Sequence, residues 1–268
     1  MNRLLTILFF IIHAVTAAAQ RDTSFKQVRL LGSDISNFTV DNLGNIYILD
    51  KSDLLKKLNA KGDSIAVFND VRRYGKVYSI DVSNPLKVLL YYKDFATVVV
   101  LDRFLNMRNA IDLRKQGIFQ ARAVAQSYDN GIWIYDEQEA KLKKLNDDGI
   151  VVSQSSDFRQ MMEVAPTPVQ IIDQDKLVYL YDTTQGVFVF DYYGSFKVKL
   201  PLQGWKDLQV IDRSLFGRKG SLLERYEPGS LSFREMQMDR VLTNTDKIKI
   251  MFNRIYSLNN GAILIYER

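Results

Sequence analysis

The sequence predicts an all-β protein: a β-propeller of six blades, the last completed by an N-terminal strand, with five blades as the alternative. Three observations carry that reading. One word is written twice, "LLKKLN" at 54–59 and "KLKKLN" at 141–146. The similarity around it recurs at an interval of about 43 residues, the length of a four-stranded blade. The recurring segments are short apolar runs between Asn, Asp and Gly turns, which is strand chemistry.

The copies follow in order. "DNLGNIYILDKSDLLKKLNAKGDSIAVF" (41–68) reads against "YDNGIWIYDEQEAKLKKLNDDGIVVSQS" (128–155). Each offers a turn, an apolar strand ending in Asp50 or Asp136, a strand carrying the lysine pair, a Gly-containing turn and a further strand. "KVLLYYKDFATVVVLDRFLNMRNAIDL" (87–113) fits midway, with Lys93 at the aspartate position. "KLVYLYDTTQGVFVFDYYGSFKVKL" (176–200) follows, marked by Asp182. A weaker fifth copy, "SLFGRKGSLLERYEPGSLSFREMQM" (214–238), is marked at Gly217. A partial sixth, "NRIYSLNNGAILIYER" (253–268), is marked at Glu267 and stops after two strands. The uneven spacing of these last two keeps five blades open. Helical repeats of similar length need apolar residues at i, i+3 and i+4, a pattern these segments lack.

Lys56-Lys57 and Lys143-Lys144 fall on matching strands of two blades. Neighbours on a strand face opposite ways, so at most one lysine of each pair runs beside the core. The repeated word is therefore structural ancestry rather than a binding motif. The sixth copy lacks outer strands, and "TSFKQVRLLG" (23–32) offers one, with Phe25, Val28, Leu30 and Leu31. Closing the ring from the other terminus hides strand edges that invite aggregation. Over residues 23–268 the pattern resembles the NHL-like and other six-bladed propellers of bacterial envelope proteins. The resemblance is architectural. It matches no motif residue by residue and carries no functional residue over.

The N-terminus reads as a secretory signal over residues 1–19. Arg3 is the basic start, Leu4 to Val15 the apolar run, and Ala17-Ala18-Ala19 the cleavage pattern before Gln20. The apolar run is shorter than the roughly 20 residues that span a bilayer. The expected product, residues 20–268, is one propeller domain in the periplasm or outside the cell, with no membrane span and no nucleic acid partner. The net charge of +5 comes with interspersed acids, so it reads as a mixed solvated surface. Its sharper reading is weak attraction to an anionic lipid, lipopolysaccharide or an acidic partner. The chain has no cysteine, hence no disulfide and no lipidated N-terminal Cys, and a core of this size does not need one.

The one histidine is His13, inside the predicted signal. The exported chain then has neither imidazole nor thiol. That excludes Ser-His-Asp and Cys-His catalysis and the zinc and copper sites built from those ligands. No phosphate loop and no dinucleotide fingerprint occurs. "GRKGS" (217–221) lies in a β repeat and reads as a turn rather than a phosphate cradle. No cofactor is expected, and the protein is expected not to be an enzyme.

Carboxylates remain. Asp41, Asp81, Asp173 and Asp212 end the runs "FTVD", "YSID", "QIID" and "QVID", read as innermost strands. They cap turns, the favoured reading, or form an acidic ring at one channel mouth. Such a ring would bind a cation such as calcium, or serve a glycoside or lactone hydrolase. Tyr91-Tyr92, Tyr192-Tyr193, Trp133 and Trp205 pack between blades, the favoured reading, or stack on a sugar or partner. The less repetitive "SDFRQMMEVAPTPVQ" (156–170) predicts a loop or short helix over one face, which makes Phe158, Arg159, Met161 and Met162 interface candidates. The expected function is a non-enzymatic binding or scaffold propeller of the bacterial envelope, monomeric outside a complex, with an envelope protein as partner. A carboxylate-based hydrolase and a sugar-binding lectin are the alternatives.

Overall fold

The structure, a computed structural model, describes residues 26–32 and 34–267. The signal predicted at 1–19, its cleavage point and Phe25 lie outside the described residues. β1 (Lys26–Leu31) comes first in the chain but belongs to the last blade. Blade 1 is β2 (Ile35–Val40), β3 (Ile46–Asp50), β4 (Leu55–Leu58) and β5 (Ser64–Phe68). Blade 2 is β6 (Ser79–Asn84), β7 (Lys87–Tyr92), β8 (Thr97–Asp102) and β9 (Met107–Asp112). Blade 3 is β10 (Ala121–Gln126), β11 (Ile132–Asp136), β12 (Lys141–Leu145) and β13 (Val151–Gln154). Blade 4 is β14 (Gln170–Gln174), β15 (Leu177–Asp182), β16 (Gly186–Asp191) and β17 (Phe196–Leu200). Blade 5 is β18 (Lys206–Ile211), β19 (Ser214–Lys219), β20 (Leu222–Glu227) and β21 (Ser232–Gln237). Blade 6 is β22 (Lys247–Met251), β23 (Arg254–Asn259) and β24 (Ala262–Glu267).

Blades 1 to 5 are antiparallel meanders, blade 6 is antiparallel with β1 beside β24, and the innermost strand of each blade touches the innermost strands of both neighbours. The ring has six blades. β1 supplies the outermost strand of blade 6, with Lys26 opposite Glu267 and Leu31 opposite Ile263. No helix among the described residues is long and apolar enough to cross a membrane.

The aspartates that mark the repeat are turn caps. In "DNLGN" the Asp41 carboxylate accepts the N–H groups of Leu43 (2.9 Å) and Asn45 (2.8 Å). The same five-residue turn recurs at 59–63, 102–106, 146–150 and 191–195, where the first side chain accepts from the third and fifth amides. Its fourth residue takes a positive φ, 87° at both Gly62 and Gly194, which only glycine adopts without strain. Leu105 breaks that rule at φ 60°, and its buried side chain in the seam between blades 1 and 2 offsets the strain. Asp50, Asp136 and Asp182 cap turns at the opposite end of their blades. Burial pushes the Asp182 carboxyl up, but donors from Thr167, Thr184 and Gln185 outweigh it and hold it below the ordinary range.

Two registers differ from the sequence reading. Asp50, Asp136 and Asp182 end second strands and Lys93 follows one, so those four markers are equivalent. Gly217 lies inside β19, and Glu267 ends a third strand. The counterparts are Lys219 and Asn259. "LNNG" (258–261) spans the end of β23 and its turn into β24, and the innermost strand β22 precedes the partial copy altogether. β22 reads "KIKIM". Lysines at alternate positions break the apolar run by which the other inner strands are recognised.

The core is divided among the seams between blades. Leu89, Tyr91, Val98 and Val100 of blade 2 meet Ile132, Ile134 and Leu145 of blade 3. The seam between blades 5 and 6 is poorer, with Met238, Leu242, Ile248, Ile255 and Tyr266 as its buried apolar members. A buried polar network supplements it. Arg218 donates to Asp207 Oδ2 (2.9 Å) and to the carbonyl of Thr245 (2.7 Å). Nearby, the Trp205 indole lies so close on Gly217 that a Cβ there would sit 2.2 Å from it.

Of the lysine pairs, the one in blade 1 meets the expectation and the one in blade 3 departs from it. Lys56 is exposed while Lys57 is buried, donating to the Arg103 carbonyl at 2.8 Å over the Tyr47 ring. In blade 3 both lysines are buried. Lys143 pairs with Asp136 (2.7 Å) and Lys144 with Asp129 (2.6 Å), on opposite faces of the blade. Two counter-ions let both cations leave water.

Candidate functional site

The strand order sets two faces. Links from first to second and from third to fourth strands emerge on one face, here the turn face. Links from second to third strands and from blade to blade emerge on the other, the connector face.

The four candidate aspartates all lie toward the turn face, and three of them are engaged in hydrogen bonds. Asp41 is buried and also accepts from Asn45 Nδ2 (2.8 Å) and the Tyr47 hydroxyl (3.1 Å). Asp81 and Asp173 are latches between blades. Asp81 accepts the Ser83 N–H (2.8 Å) and, from blade 3, the Gln126 N–H (2.7 Å). Asp173 Oδ2 accepts from Trp133 Nε1 (2.8 Å), the Ser127 hydroxyl (3.1 Å) and the Tyr128 N–H (3.2 Å), all in blade 3. Asp212 sits with Arg213 in a two-residue turn, both at positive φ. The sequence reading missed the latch role, because a cap and a latch share the same local word. Among the described residues, no group of three or more His, Cys, Asp or Glu is placed to hold a metal ion.

Of the aromatic candidates, Tyr91, Tyr92, Trp133 and Trp205 are buried between blades. Tyr91 donates its hydroxyl to the Ala121 carbonyl at 2.7 Å. Tyr192 and Tyr193 instead stand in the last turn of blade 4, on the turn face. Their rings lie 4.6 Å apart, and Tyr192 meets Tyr128 of blade 3 edge-on at 5.3 Å. Lys144 lies over both the Tyr128 and Trp133 rings.

This cluster is part of a wider arrangement. Every blade lifts a large apolar side chain at a turn-face tip: Leu43, Phe104, Tyr128, Tyr193, Leu231 and Phe252, from 53% to 76% exposed. Leu43, Phe104 and Tyr193 each occupy the third position of the capped turn, whose geometry points that residue away from the blade. Neither blade closure nor core packing requires an apolar residue there.

The stretch 156–170 lies on the connector face and forms the short helix Phe158–Met161, capped by Asp157. Phe158 is buried and stacks between Tyr135 and Phe190, so it plugs the seam between blades 3 and 4 and presents no ring to a partner. Arg159 is exposed but clasped by Asp157 at 2.7 Å. Met161 is exposed, and Met162 rests partly against the core.

No protein-family model matches the chain, and no curated protein matches it. Solved structures do. Virginiamycin B lyase from Staphylococcus aureus is similar over 91% of this chain and 89% of its own, with a TM-score of 0.61 and 14% identity. BamB from Moraxella catarrhalis is similar over 91% of this chain and 98% of its own, with a TM-score of 0.50 and 12% identity. The Pan2 WD40 domain from Neurospora crassa covers 88% of this chain and 79% of its own, with a TM-score of 0.62 and 10% identity. The chain is a six-bladed β-propeller of the same general type as the first two. At these identities the likeness defines the fold, and the fold alone does not fix a function.

Proposed function

We propose that this protein is a non-enzymatic binding propeller of the bacterial cell envelope, which recruits a protein partner on its turn face. The observation that carries the reading is the set of exposed apolar tips, one or more from each blade. Exposed apolar groups gathered on one surface mark interaction sites. Tyrosine is enriched where binding energy concentrates, and Tyr128, Tyr192 and Tyr193 form one contiguous aromatic patch. The predicted export signal supports an envelope or extracellular location.

Two points weigh against catalysis. A histidine-to-alanine variant of virginiamycin B lyase is catalytically inactive. Here the one histidine of the chain, His13, belongs to the predicted signal. Three of the candidate carboxylates, Asp41, Asp81 and Asp173, are spent as caps and latches, and Asp212 stands exposed in a two-residue turn.

The test uses the exported protein as bait against the envelope fraction of its source. A captured protein is purified and rebound to wild type and to a variant carrying Tyr128→Ser, Tyr193→Ser, Leu231→Ser and Phe252→Ser. The reading expects at least a tenfold loss of affinity at unchanged melting temperature. Equal binding by both proteins, or turnover of aryl glycosides, lactones or phosphate esters by the pure protein, would overturn it.

A further inference from the structure

The innermost strands line the axis of the ring, and β22 differs from the others in carrying two cations. Lys247 and Lys249 are two residues apart and so lie on the same side of the strand. Ile248 and Ile250, on the other side, pack into the seam with blade 5. The lysine side looks toward blade 1, where Lys247 Nζ donates to Asn37 Oδ1 and to the Phe38 carbonyl, both at 2.8 Å. Lys249, one step further along, has no hydrogen bond and no ion pair among the described residues.

Two acids lie within electrostatic reach, and neither forms an ion pair with either lysine. Asp81 acts on Lys249 from blade 2, but its oxygens accept the Ser83 and Gln126 amides. Asp207 acts on Lys247 from blade 5, but it is clasped by Arg218. Both lysines keep partial contact with solvent. Both are nevertheless short of hydration, since burial is the largest influence holding each below the ordinary lysine range. Two like charges, poorly hydrated and close together, are unfavourable unless an anion joins them.

We propose that the axial channel binds a small oxyanion, carboxylate or phosphate, at Lys249, with Lys247 as the second cation. Lys249 is the donor left over. Lys247 is already fixed by two acceptors, so it supplies charge rather than a new hydrogen bond. A compact anion suits the position, because the bonds of Lys247 to blade 1 confine one side of it. The site is independent of the turn face, so its failure would leave the scaffold reading untouched.

Thermal unfolding of the exported protein at constant ionic strength tests it, with inorganic phosphate, acetate and chloride as separate probes. Saturable stabilisation is expected from phosphate, acetate or both, and not from chloride, and the pattern separates phosphate from carboxylate selectivity. Lys249→Met should weaken the apparent affinity at least tenfold, and the surface control Lys61→Met should not change it. If Lys249→Met does not fold, crystals of the wild type grown with selenate decide, since an anomalous peak is expected beside Lys249 Nζ. Absence of saturable stabilisation by either oxyanion, unchanged affinity in the folded Lys249→Met variant, or, where phosphate stabilises, no selenate peak in the channel would overturn the proposal.

Discussion

The two faces of the ring use their links in opposite ways. On the connector face the blade-to-blade links are longer and four of them turn a residue inward, while the same face also exposes Phe119 (59%) and Val164 (63%). The helical turns 71–74, 113–116, 158–161 and 240–243 each bury one residue: Tyr74, Leu113, Phe158 and Leu242. On the turn face the links are short capped turns that hold their apolar residue out in water. The helical links therefore each place one apolar residue in the core, whereas the capped turns place theirs in water. Exposure of large apolar groups carries no folding benefit, and on the turn face it falls at a tip of every blade, with Tyr128, Tyr192 and Tyr193 in mutual contact, which supports the proposed binding surface.

The largest expected effect removes what both faces depend on. Deleting residues 20–31 takes away β1 and leaves β24 with an unpaired edge. The ring then opens, and aggregation or complete loss of cooperative unfolding should follow. A monomeric truncated protein with an unchanged melting temperature, by light scattering and calorimetry, would contradict it.

Phe158→Ala tests the connector face. The ring is fully buried between two aromatic neighbours, so the change should cost about 3–5 kcal/mol in denaturant unfolding. Binding of a turn-face partner to the folded fraction should be unaltered.

Arg218 tests a seam held differently from the rest. Arg218→Ala leaves Asp207 buried without its cation and should cost about 3 kcal/mol. The double variant Arg218→Met, Asp207→Leu removes both charges and should recover most of that loss. A double variant as unstable as the single one would mean that the Thr245 and Asp246 contacts, not the ion pair, hold the seam.

That seam also explains what was legible in the sequence. Blades 1 to 4 announce themselves, because their second strands carry long apolar runs, closed by an aspartate cap in blades 1, 3 and 4 and followed by Lys93 in blade 2. In blade 5, Arg218 and Glu224 take core positions and interrupt the pattern. In blade 6, Lys247 and Lys249 do the same to the innermost strand. Polar groups that are satisfied only by distant partners cannot be recognised locally. Phe158 misled for the converse reason: a polar neighbourhood surrounds a residue that the fold turns inward. The aspartate series was readable as turn chemistry, but the reach of Asp81 and Asp173 into blade 3 depends on the ring.

Lys247 gives a smaller, pH-dependent effect. Burial, with repulsion from Lys249, lowers it to about 8 against the opposing pull of Asp207. An unfolded lysine titrates near about 10.4. Between pH about 8 and about 10 the unfolded chain thus binds more protons than the folded one, and stability rises with pH. Lys249 and Lys57, also lowered by burial, act with the same sign. Above about pH 10 the trend reverses, because burial raises Tyr47, Tyr91 and Tyr135 in the fold and the unfolded chain ionises first. Lys247→Met should flatten the rise by about 1 kcal/mol, a figure reduced for the remaining solvent contact of the side chain. A pH series of urea melts on both proteins measures it, and an identical slope in the two would show that Lys247 titrates as an ordinary lysine.

The smallest stability effect belongs to the tips, and it is the one that separates the two faces. Tyr193 stands in a turn already closed by Asp191 and by Gly194 at positive φ. Its side chain touches Tyr192 and is otherwise in water. Tyr193→Ser keeps the backbone donor that Asp191 accepts and loses one exposed aromatic contact, so unfolding should shift by no more than about 0.5 kcal/mol. Asp191→Ala in the same turn removes the cap and should cost about 1 kcal/mol, by analogy with the loss of an end-capping carboxylate. If Tyr193→Ser proved the more destabilising of the two, the ring would be serving the fold, and the turn face would be a second cohesive surface. If the order is as expected, Tyr193 is held out by a turn that does not need it, as a residue kept for binding should be.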